Sequence, residues 1–424
     1  MNTFLKVLFI IIIISNVSGQ EIINCGSDYY HKNLLKDSIY YNSWSQAENT
    51  IYTISKSLSY NFKDTIFDIP VVFHLICRPG STPGDFYDGN PDDNTVVNSF
   101  LYNLNLAYEN AGAYNQGVGV DMNIRFCLAQ QDTNGNYTTG ITRFETALAD
   151  SCGMSTNSQY TDSIKKTTFW NPEKYLNIWI VASLVDASGF STFPWLPRSY
   201  KDGVIIDINY LSTDYMAGVM LAHEIGHYLG LYHVFQGGCP NNDCLLQGDR
   251  VCDTPPSIQD NIVLSCTDNT CFTDADDTTA NNPYTSDVYD NLRTYMNYGL
   301  PACINQFTDG QKTRALICLQ TYRDQLINSD ACQNSTKTNF IIQKSEISIY
   351  PNPVTSNEFK ITNRTNNIKK VSLVNIHGNL IYISDGINNR VTKIILAEKP
   401  PKGIYTLIIK DDKGSHTYKK IIII

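Results

Sequence analysis

The chain has 424 residues, of which 42% are hydrophobic and 17% charged, so it has enough apolar material for two or three folded domains. Its 41 acidic residues exceed its 32 basic residues, and the formal net charge of -9 disfavours a protein that binds nucleic-acid phosphates. The charge is uneven, because residues 340–424 carry 13 basic and 6 acidic side chains while the rest of the chain is strongly acidic, and we expect the two parts to serve different purposes.

The N-terminus has the features of a secretory signal peptide. Lys6 precedes an apolar run over residues 7–14, and Val17 and Gly19 supply the small residues of a cleavage site. The run is too short to span a bilayer, which takes about 20 apolar residues, so we expect no transmembrane anchor. The sequence therefore predicts a signal peptide at residues 1–19.

Cysteine usage agrees with export. All twelve cysteines lie between Cys25 and Cys332, and none follows. A cluster of this size suggests an oxidising compartment, so we expect a secreted or cell-surface protein.

The middle of the chain has an α/β pattern. Residues 20–65 are only weakly patterned, and we interpret them as a propeptide or an extended arm. A β-branched and aromatic run at residues 69–75 predicts a buried strand, and the apolar spacing of residues 97–108 predicts a helix. Three further strands are predicted at residues 120–128, 176–181 and 203–206. A long helix over residues 214–229 follows, which completes the pattern.

The C-terminal region contains only strand-like segments. Residues 333–339 are polar and have the composition of a linker. Short apolar runs separated by Asn, Gly and Asp turns follow at residues 369–376, 390–396, 404–410 and 417–424. They predict a small β-sandwich domain at residues 344–424.

Residues 223–233 carry three of the chain's seven histidines. Because His223 and His227 are four residues apart on the predicted helix, their side chains lie on one face and can share a metal ion. Glu224 lies where its carboxylate can act as general base on a metal-bound water. Gly230 ends the helix and turns the chain so that His233 becomes the third ligand. Three nitrogens predict one catalytic zinc with an open position for water, in preference to surface histidines on an amphipathic helix.

This pattern resembles the metzincin metallopeptidases, whose second mark is a methionine turn, and residues 291–298 offer Met296 and Tyr298 for it. More narrowly, the chain resembles the pappalysin-type peptidases. The supporting segments are residues 69–75, 170–179, 248–255 and 307–311. The resemblance implies an α/β (α+β) metzincin-like catalytic domain at residues 66–334, with a mixed sheet and an active-site helix.

The resemblance also implies roles for single residues. Met296 forms a hydrophobic floor under the zinc, and the Tyr298 hydroxyl stabilises the oxyanion of the tetrahedral intermediate. Residues 189–194 resemble an edge strand that pairs with extended substrates, and a plain loop is the alternative. Residues 299–302 lack the acidic residue expected for a preference for Lys or Arg after the scissile bond, so that preference is not predicted.

The region between the helix and the methionine turn is rich in aspartate and cysteine. The aspartates are Asp268, Asp274, Asp276, Asp277, Asp287 and Asp290. Relatives bind Ca²⁺ in this region, and a solvated acidic loop fits as well because no fixed-spacing calcium motif is present. The disulfide candidates are Cys239, Cys244, Cys252, Cys266, Cys271 and Cys303. By resemblance Cys303 pairs with Cys266 or Cys271, while the spacing alone leaves the connectivity open.

Cys25 is a candidate latency switch. Pappalysins that the chain resembles can be held inactive by a propeptide cysteine whose thiolate occupies the zinc position needed by water. Removing Cys25 leaves eleven cysteines, an odd number, so either one of them stays free or Cys25 is itself in a disulfide. Asp28 is the other group that could reach the zinc.

The last 80 or so residues resemble the C-terminal sorting domain of the type IX secretion route. The resemblance rests on residues 349–353 and 403–407 and on Lys419 and Lys420 before four isoleucines. An ordinary immunoglobulin-like binding module is the alternative. The sequence thus predicts a secreted zinc endopeptidase, made as a zymogen, that cleaves extracellular proteins and engages the type IX machinery. A surface adhesin or binding protein on a protease-like fold is the alternative from another class.

Overall fold

The computed structural model describes residues 25–56, 65–81, 93–155, 157–259, 266–298, 302–332, 347–352, 354–363, 367–375, 380–412 and 416–423. The chain divides into two units, Met1–Ser335 and Thr336–Ile424. The predicted signal peptide, the predicted linker and residues 299–301 lie outside the described residues.

The first unit is built on a six-stranded mixed sheet. Its strands are β1 Phe67–Cys77, β2 Ile124–Leu128, β3 Ile141–Glu145, β4 Leu176–Val181, β5 Gly189–Ser191 and β6 Val204–Asp207. The order is β2-β1-β4-β6-β5, and β3 also pairs with β1. All pairings are parallel except that of β5 with β6, which places a short antiparallel strand at the edge. The predicted α/β class with a mixed sheet is confirmed.

Seven α-helices surround this sheet among the described residues. They are α1 Ser27–Leu34, α2 Ser38–Lys56, α3 Asp93–Tyr108, α4 Ser158–Thr168, α5 Asp214–Tyr228, α6 Asp309–Tyr322 and α7 Asp324–Ile327. The Thr213 hydroxyl caps α5 by accepting from the backbone N–H of Met216. Every residue of α5 from Ala217 to Tyr228 is buried, and α3 packs against the helix, so α5 is fixed in the core.

Gly230 ends this central helix and turns the chain. Its φ of +89° is a left-handed conformation that a residue with a Cβ rarely adopts. The Leu231 N–H donates to the Gly226 carbonyl, which closes the helix end. A Cβ on Gly230 would also collide with the Cys318 sulfur.

Two predictions about local structure need correction. The weakly patterned residues after Cys25 form α1 and α2. The buried face of α2 includes Tyr40, Ala47, Glu48 and Ile51, and a glutamate within that face conceals its helical period. The strand predicted over residues 120–128 begins only at Ile124, because Asn123 turns the chain with a φ of +57°.

The second unit is an all-β sandwich. Its strands are β7 Ile347–Tyr350, β8 Glu358–Asn363, β9 Ile368–Asn375, β10 Leu380–Ser384, β11 Val391–Ile395, β12 Gly403–Asp411 and β13 His416–Ile423. They form two antiparallel sheets, with orders β10-β9-β12-β13 and β11-β8-β7. Buried residues of both sheets, such as Ile361, Leu373 and Leu407, form one core. This confirms the prediction of a small β-sandwich.

Candidate metal centre

Three histidine side chains converge in the interior of the first unit. His223 and His227 lie one turn apart on α5, and the turn at Gly230 brings His233 against them. The Nε2 atom of His233 lies 3.1 Å from Nε2 of His227 and 3.2 Å from Nε2 of His223. The sulfur of Cys25 belongs to the same group, whose ligand atoms all lie within 4.8 Å of one another.

The opposite ring nitrogens show which tautomers are present. Nδ1 of His223 donates to the Tyr295 carbonyl at 2.6 Å, and Nδ1 of His227 donates to the Leu231 carbonyl at 2.7 Å. Burial lowers the pKa of His223 to about 3 and that of His227 well below its usual value. The neutral rings of His223 and His227 present lone pairs at Nε2. Nδ1 of His233 faces an acceptor as well, the Asp28 carboxylate, which leaves its Nε2 to present the third lone pair. The donor set therefore fits a shared metal ion.

The Glu224 carboxylate is buried beside these histidines. Its Oε2 accepts from the Ser27 hydroxyl at 3.3 Å, while its Oε1 has no hydrogen-bond partner among the described residues. Burial raises the pKa of Glu224 to about 8. A Cβ on Gly189 would lie 2.9 Å from Oε1, so a glycine at the start of β5 leaves room for this carboxylate.

Met296 and Tyr298 lie next to the histidines. Met296 is fully buried, and a Cβ on Gly226, between the two helix histidines, would collide with its sulfur. The Tyr298 ring lies 4.8 Å from the ring of His233 between centroids. Its hydroxyl donates to the carbonyl of Cys25 at 3.0 Å. The methionine turn thus contributes one side chain packed beneath α5 and one phenol that faces the cleft.

The segment from Cys25 to Asp28 occupies the cleft in the full chain. Cys25 forms a parallel bridge with Gly189, and the following N–H of Gly26 donates to the Gly189 carbonyl at 2.8 Å. The Ser27 hydroxyl accepts from the N–H of Ser191 at 3.0 Å. The predicted edge strand at residues 189–194 is therefore a strand over its first three residues, Gly189–Ser191, and this segment of the N-terminal region covers it.

A carboxylate completes this contact. Asp28 lies 2.7 Å from Nδ1 of His233. The Nδ1 atoms of His223 and His227 face backbone carbonyls, whereas that of His233 faces this side chain. Asp28 and Cys25 therefore both reach the histidine group, from the same short segment.

Disulfides brace the loops around the cleft. The bonds are Cys127–Cys332, Cys239–Cys271, Cys244–Cys252 and Cys266–Cys303. Cys25, Cys77, Cys152 and Cys318 are free and buried. Of the eleven other cysteines, eight are paired and three are free. The odd number therefore does not require Cys25 to be in a disulfide.

The aspartate-rich loop forms its own hydrogen-bond network. Asp277 accepts from the N–H groups of Cys244 and Thr279, and Asp290 accepts from Thr270. Within residues 266–298, no three acidic side chains converge as a metal-binding group. A calcium site in this loop stays a prediction.

Comparison with known proteins identifies both units. Residues 159–320 match the family of pregnancy-associated plasma protein-A, peptidase family M43. Residues 159–320 are therefore a pappalysin-type metallopeptidase domain. Residues 348–424 match the secretion-system C-terminal sorting domain.

Relatives of the pappalysin-type domain are secreted proteases. An extracellular metalloprotease of Sordaria macrospora is 29% identical over 265 residues, covering 60% of this chain and 76% of the relative. One of Neurospora crassa is 28% identical over the same length, with the same shares covered. A promirolysin mutant from Tannerella forsythia is 26% identical with a TM-score of 0.51, covering 72% of this chain and 97% of that chain.

These findings confirm the predicted class of enzyme and its destination. The chain is a metalloendopeptidase, and its type IX sorting tail indicates a secreted or cell-surface protein. Among the helices that the structure describes, none is both long and apolar enough to cross a membrane. The alternative of a surface adhesin finds no support in these comparisons.

One part of the arrangement was missed by sequence reasoning. Glu48 of α2 is buried against Arg314, Arg250 and Tyr232 of the peptidase domain. These partners lie 184 to 266 residues away in sequence, so no local spacing indicates them. Ser27 could have been found, since it lies two residues after Cys25 in the segment already considered for latency.

Proposed function

We propose that the protein is a zinc-dependent endopeptidase that hydrolyses peptide bonds of extracellular proteins. His223, His227 and His233 hold the metal, and Glu224 is the general base. The observation that carries the proposal is the convergence of the three Nε2 atoms, with that of His233 lying 3.1 and 3.2 Å from the other two. Beside them lies Oε1 of Glu224, a buried carboxylate oxygen without a hydrogen-bond partner among the described residues.

Zinc is the ion that this donor set favours, because three imidazole nitrogens with one open position are typical of catalytic zinc sites. When bound, Zn²⁺ supplies Lewis-acid polarisation of the substrate carbonyl and lowers the pKa of a water molecule. The carbonyls of Tyr295 and Leu231 orient two of the three rings, which favours ligands held ready for the metal.

The chain's own residues move the protons and hold the substrate. Glu224 takes a proton from the attacking water and delivers it to the nitrogen of the leaving amine. The Tyr298 hydroxyl donates to the substrate carbonyl oxygen as negative charge develops there. Its hydrogen bond to the Cys25 carbonyl supports this role, since it already donates to a peptide oxygen in the cleft. The substrate pairs with β5 through the polar groups of Gly189 and Ser191 that the N-terminal segment now uses.

The proposal is tested with Glu224→Gln in enzyme freed of its propeptide. The variant keeps the shape of the side chain, so it should bind one zinc per chain and unfold at nearly the wild-type temperature. Its hydrolysis of peptides should fall by about 10³-fold or more, as expected when a general base is lost. Metal content measured on the same samples separates loss of the base from loss of zinc. Hydrolysis at the wild-type rate would refute the assignment.

We also propose that residues 20–65 are a propeptide and that Cys25 holds the enzyme latent by occupying the metal. Support comes from the position of the Cys25 sulfur within the histidine group and from the hydrogen bonds that keep its neighbours on β5. Asp28 contributes by holding His233 from the same segment. Residues 1–19 direct export across the inner membrane. Residues 344–424 are recognised by the type IX machinery and are not part of the peptidase domain, which comprises residues 66–334.

A further inference from the structure

Two guanidinium groups meet one carboxylate where α2 packs against α6. Oε1 of Glu48 accepts from Nη2 of Arg314 at 2.6 Å, and its Oε2 accepts from Nη1 of Arg250 at 3.1 Å. The hydroxyl of Tyr232 donates to Oε1 at 2.7 Å. The side chains of Glu48 and Arg314 are each only 4% exposed. Three donors, two of them charged, therefore surround one buried carboxylate.

The carboxylate and its donors belong to different parts of the precursor. Glu48 lies in the proposed propeptide, whereas Arg250, Arg314 and Tyr232 lie in the peptidase domain. Among the described residues, Glu48 is the one carboxylate in ion-pair contact with either arginine. Release of α2 would thus leave two cations and a hydroxyl without their acceptor, a state that strongly favours a replacement anion.

The neighbouring Asp249 does not take over this role in the structure. Its carboxylate accepts from the Thr254 hydroxyl and from the Val251 N–H. Burial raises the pKa of Asp249 to about 8 although the charge of Arg314 lowers it, and no ion pair joins Asp249 to Arg314 among the described residues. Arg314 makes one other hydrogen bond of note, from Nε to the Gly230 carbonyl at 2.8 Å, and a carbonyl does not neutralise its charge.

We propose that Arg250, Arg314 and Tyr232, here called the carboxylate pocket, bind the side-chain carboxylate of an acidic protein substrate after the propeptide has left. The proposal rests on the proposed function as an endopeptidase freed of its propeptide. Glu48 stands in for the ligand and shows that a glutamate side chain fits between the two guanidinium groups.

The pocket lies close enough to the cleft to act on the same substrate. Tyr232 directly precedes the ligand His233. Its ring lies 5.2 Å from the ring of Phe193, which in turn lies 5.6 Å from the ring of His227. A single aromatic layer therefore separates the carboxylate pocket from the histidine group, and a chain bound along the edge strand can reach both.

The space beside the pocket suits a peptide. A cavity of about 440 Å³ is lined by Arg250, Tyr232 and Gln236 on the peptidase side and by Trp44 on α2. The Trp44 ring stands 5.5 Å from the Arg250 guanidinium, and its Nε1 donates to the Tyr232 hydroxyl at 2.8 Å. Because Trp44 leaves with α2, a segment of substrate that replaces α2 can place an apolar side chain where Trp44 now lies, beside the Arg250 guanidinium, in addition to making the ionic contact.

The first test uses the full chain, in which Glu48→Ala opens a space of carboxylate size. Acetate should raise the thermal unfolding temperature of this variant along a saturating curve, whereas uncharged acetamide should not. The wild type and the double variant Glu48→Ala/Arg250→Gln should respond to neither. An equal response to both compounds, or an equal response to acetate in the wild type, would overturn the carboxylate pocket.

The second test uses the processed enzyme and stands even if Glu48→Ala fails to fold. Succinylated and acetylated casein both lack lysine charge, but only the first carries added carboxylates. We expect a KM about tenfold lower for succinylated casein, a difference that Arg250→Gln removes and Arg250→Lys largely keeps. The rate of each enzyme on a short uncharged peptide is measured alongside and serves as its reference for the two caseins.

The short peptide separates the two proposals. If no enzyme cleaves it, the proposed function fails. If all cleave it while the two caseins have equal KM values in the wild type, the proposed function stands and the carboxylate pocket is refuted. A difference between the caseins that survives Arg250→Gln also refutes the pocket, because the preference then arises elsewhere.

Discussion

Replacing Cys25 by alanine in the full chain tests how latency is held. The substitution removes the sulfur from the histidine group but leaves the backbone of the segment intact. Four hydrogen bonds of 2.7 to 3.0 Å remain to hold it in the cleft, besides the longer bond of 3.3 Å from the Ser27 hydroxyl to Glu224. They join Gly26 to Gly189, Tyr298 to the residue-25 carbonyl, Ser191 to Ser27 and His233 to Asp28.

The size of the effect follows from these contacts. At about 1 kcal/mol for each neutral bond and about 2 kcal/mol for the bond to the Asp28 carboxylate, roughly 5 kcal/mol of attachment remains. The cleft would then be open in about one molecule in 10³ to 10⁴. Cys25→Ala proenzyme should therefore show weak but measurable activity, and adding Asp28→Ala should raise this activity by about 30-fold.

The assay compares initial rates of peptide hydrolysis by uncleaved proenzymes, with intactness checked on the same samples by mass spectrometry. Cys152→Ala is a matched control, since Cys152 is also free and buried but lies outside the histidine group. X-ray absorption of the zinc-loaded wild-type proenzyme should show a zinc–sulfur distance of about 2.3 Å, which Cys25→Ala should abolish.

The reasoning is refuted if Cys25→Ala stays fully latent and the metal has only nitrogen and oxygen neighbours in the wild-type proenzyme. Activity in Asp28→Ala alone would then identify Asp28 as the group that holds latency. The sulfur of Cys25 would in that case be a buried packing group.

Three further predictions concern the peptidase domain and the C-terminal unit. Gly189→Ala should lower kcat of the processed enzyme about tenfold, because the new Cβ lies 2.9 Å from Oε1 of Glu224 and shifts that carboxylate. An unchanged kcat with normal zinc content would contradict the role of this glycine. Gly230→Ala should destabilise the fold by about 2 kcal/mol or more in denaturant unfolding, since its φ is +89° and its Cβ meets the Cys318 sulfur; wild-type stability would show that the turn relaxes at little cost. A chain ending at Asn334 should cleave peptides after refolding yet fail to reach the outside of the cell, and normal export would rule out the sorting role.

The convergence of the three histidines could be predicted from the sequence because its geometry is local. His223 and His227 are separated by one helical turn, and Gly230 is the residue type that ends a helix in a left-handed turn. The position of each side chain then follows from helix geometry alone. Strands β1 and β4 of the central sheet were predicted for a similar reason, since they are apolar runs with both faces buried. Strand β3 was not predicted, because none of its five residues is fully buried.

The contacts of the N-terminal helices could not be predicted, because they depend on partners distant in sequence. The buried face of α2 contains Glu48, which is stable there only because Arg314 meets it from α6. The same holds for the bond between Cys127 and Cys332, which are 205 residues apart. Glu48 interrupts the apolar repeat of α2, so the repeat does not indicate a buried helix face. A disulfide between cysteines so far apart leaves no signal within a short stretch of sequence.

The N-terminal segment is attached to the peptidase domain at two separate places. Cys25 to Asp28 cover the histidine group, and Glu48 anchors α2 to Arg314 and Arg250. While the chain is continuous, release of one attachment leaves the other to hold the segment at a high effective concentration, so the cleft recloses quickly. A cut after α2 ends this advantage, because both attachments can then separate together into solution. We therefore expect the proposed latency to depend on the continuity of the chain as much as on any single contact with the metal centre.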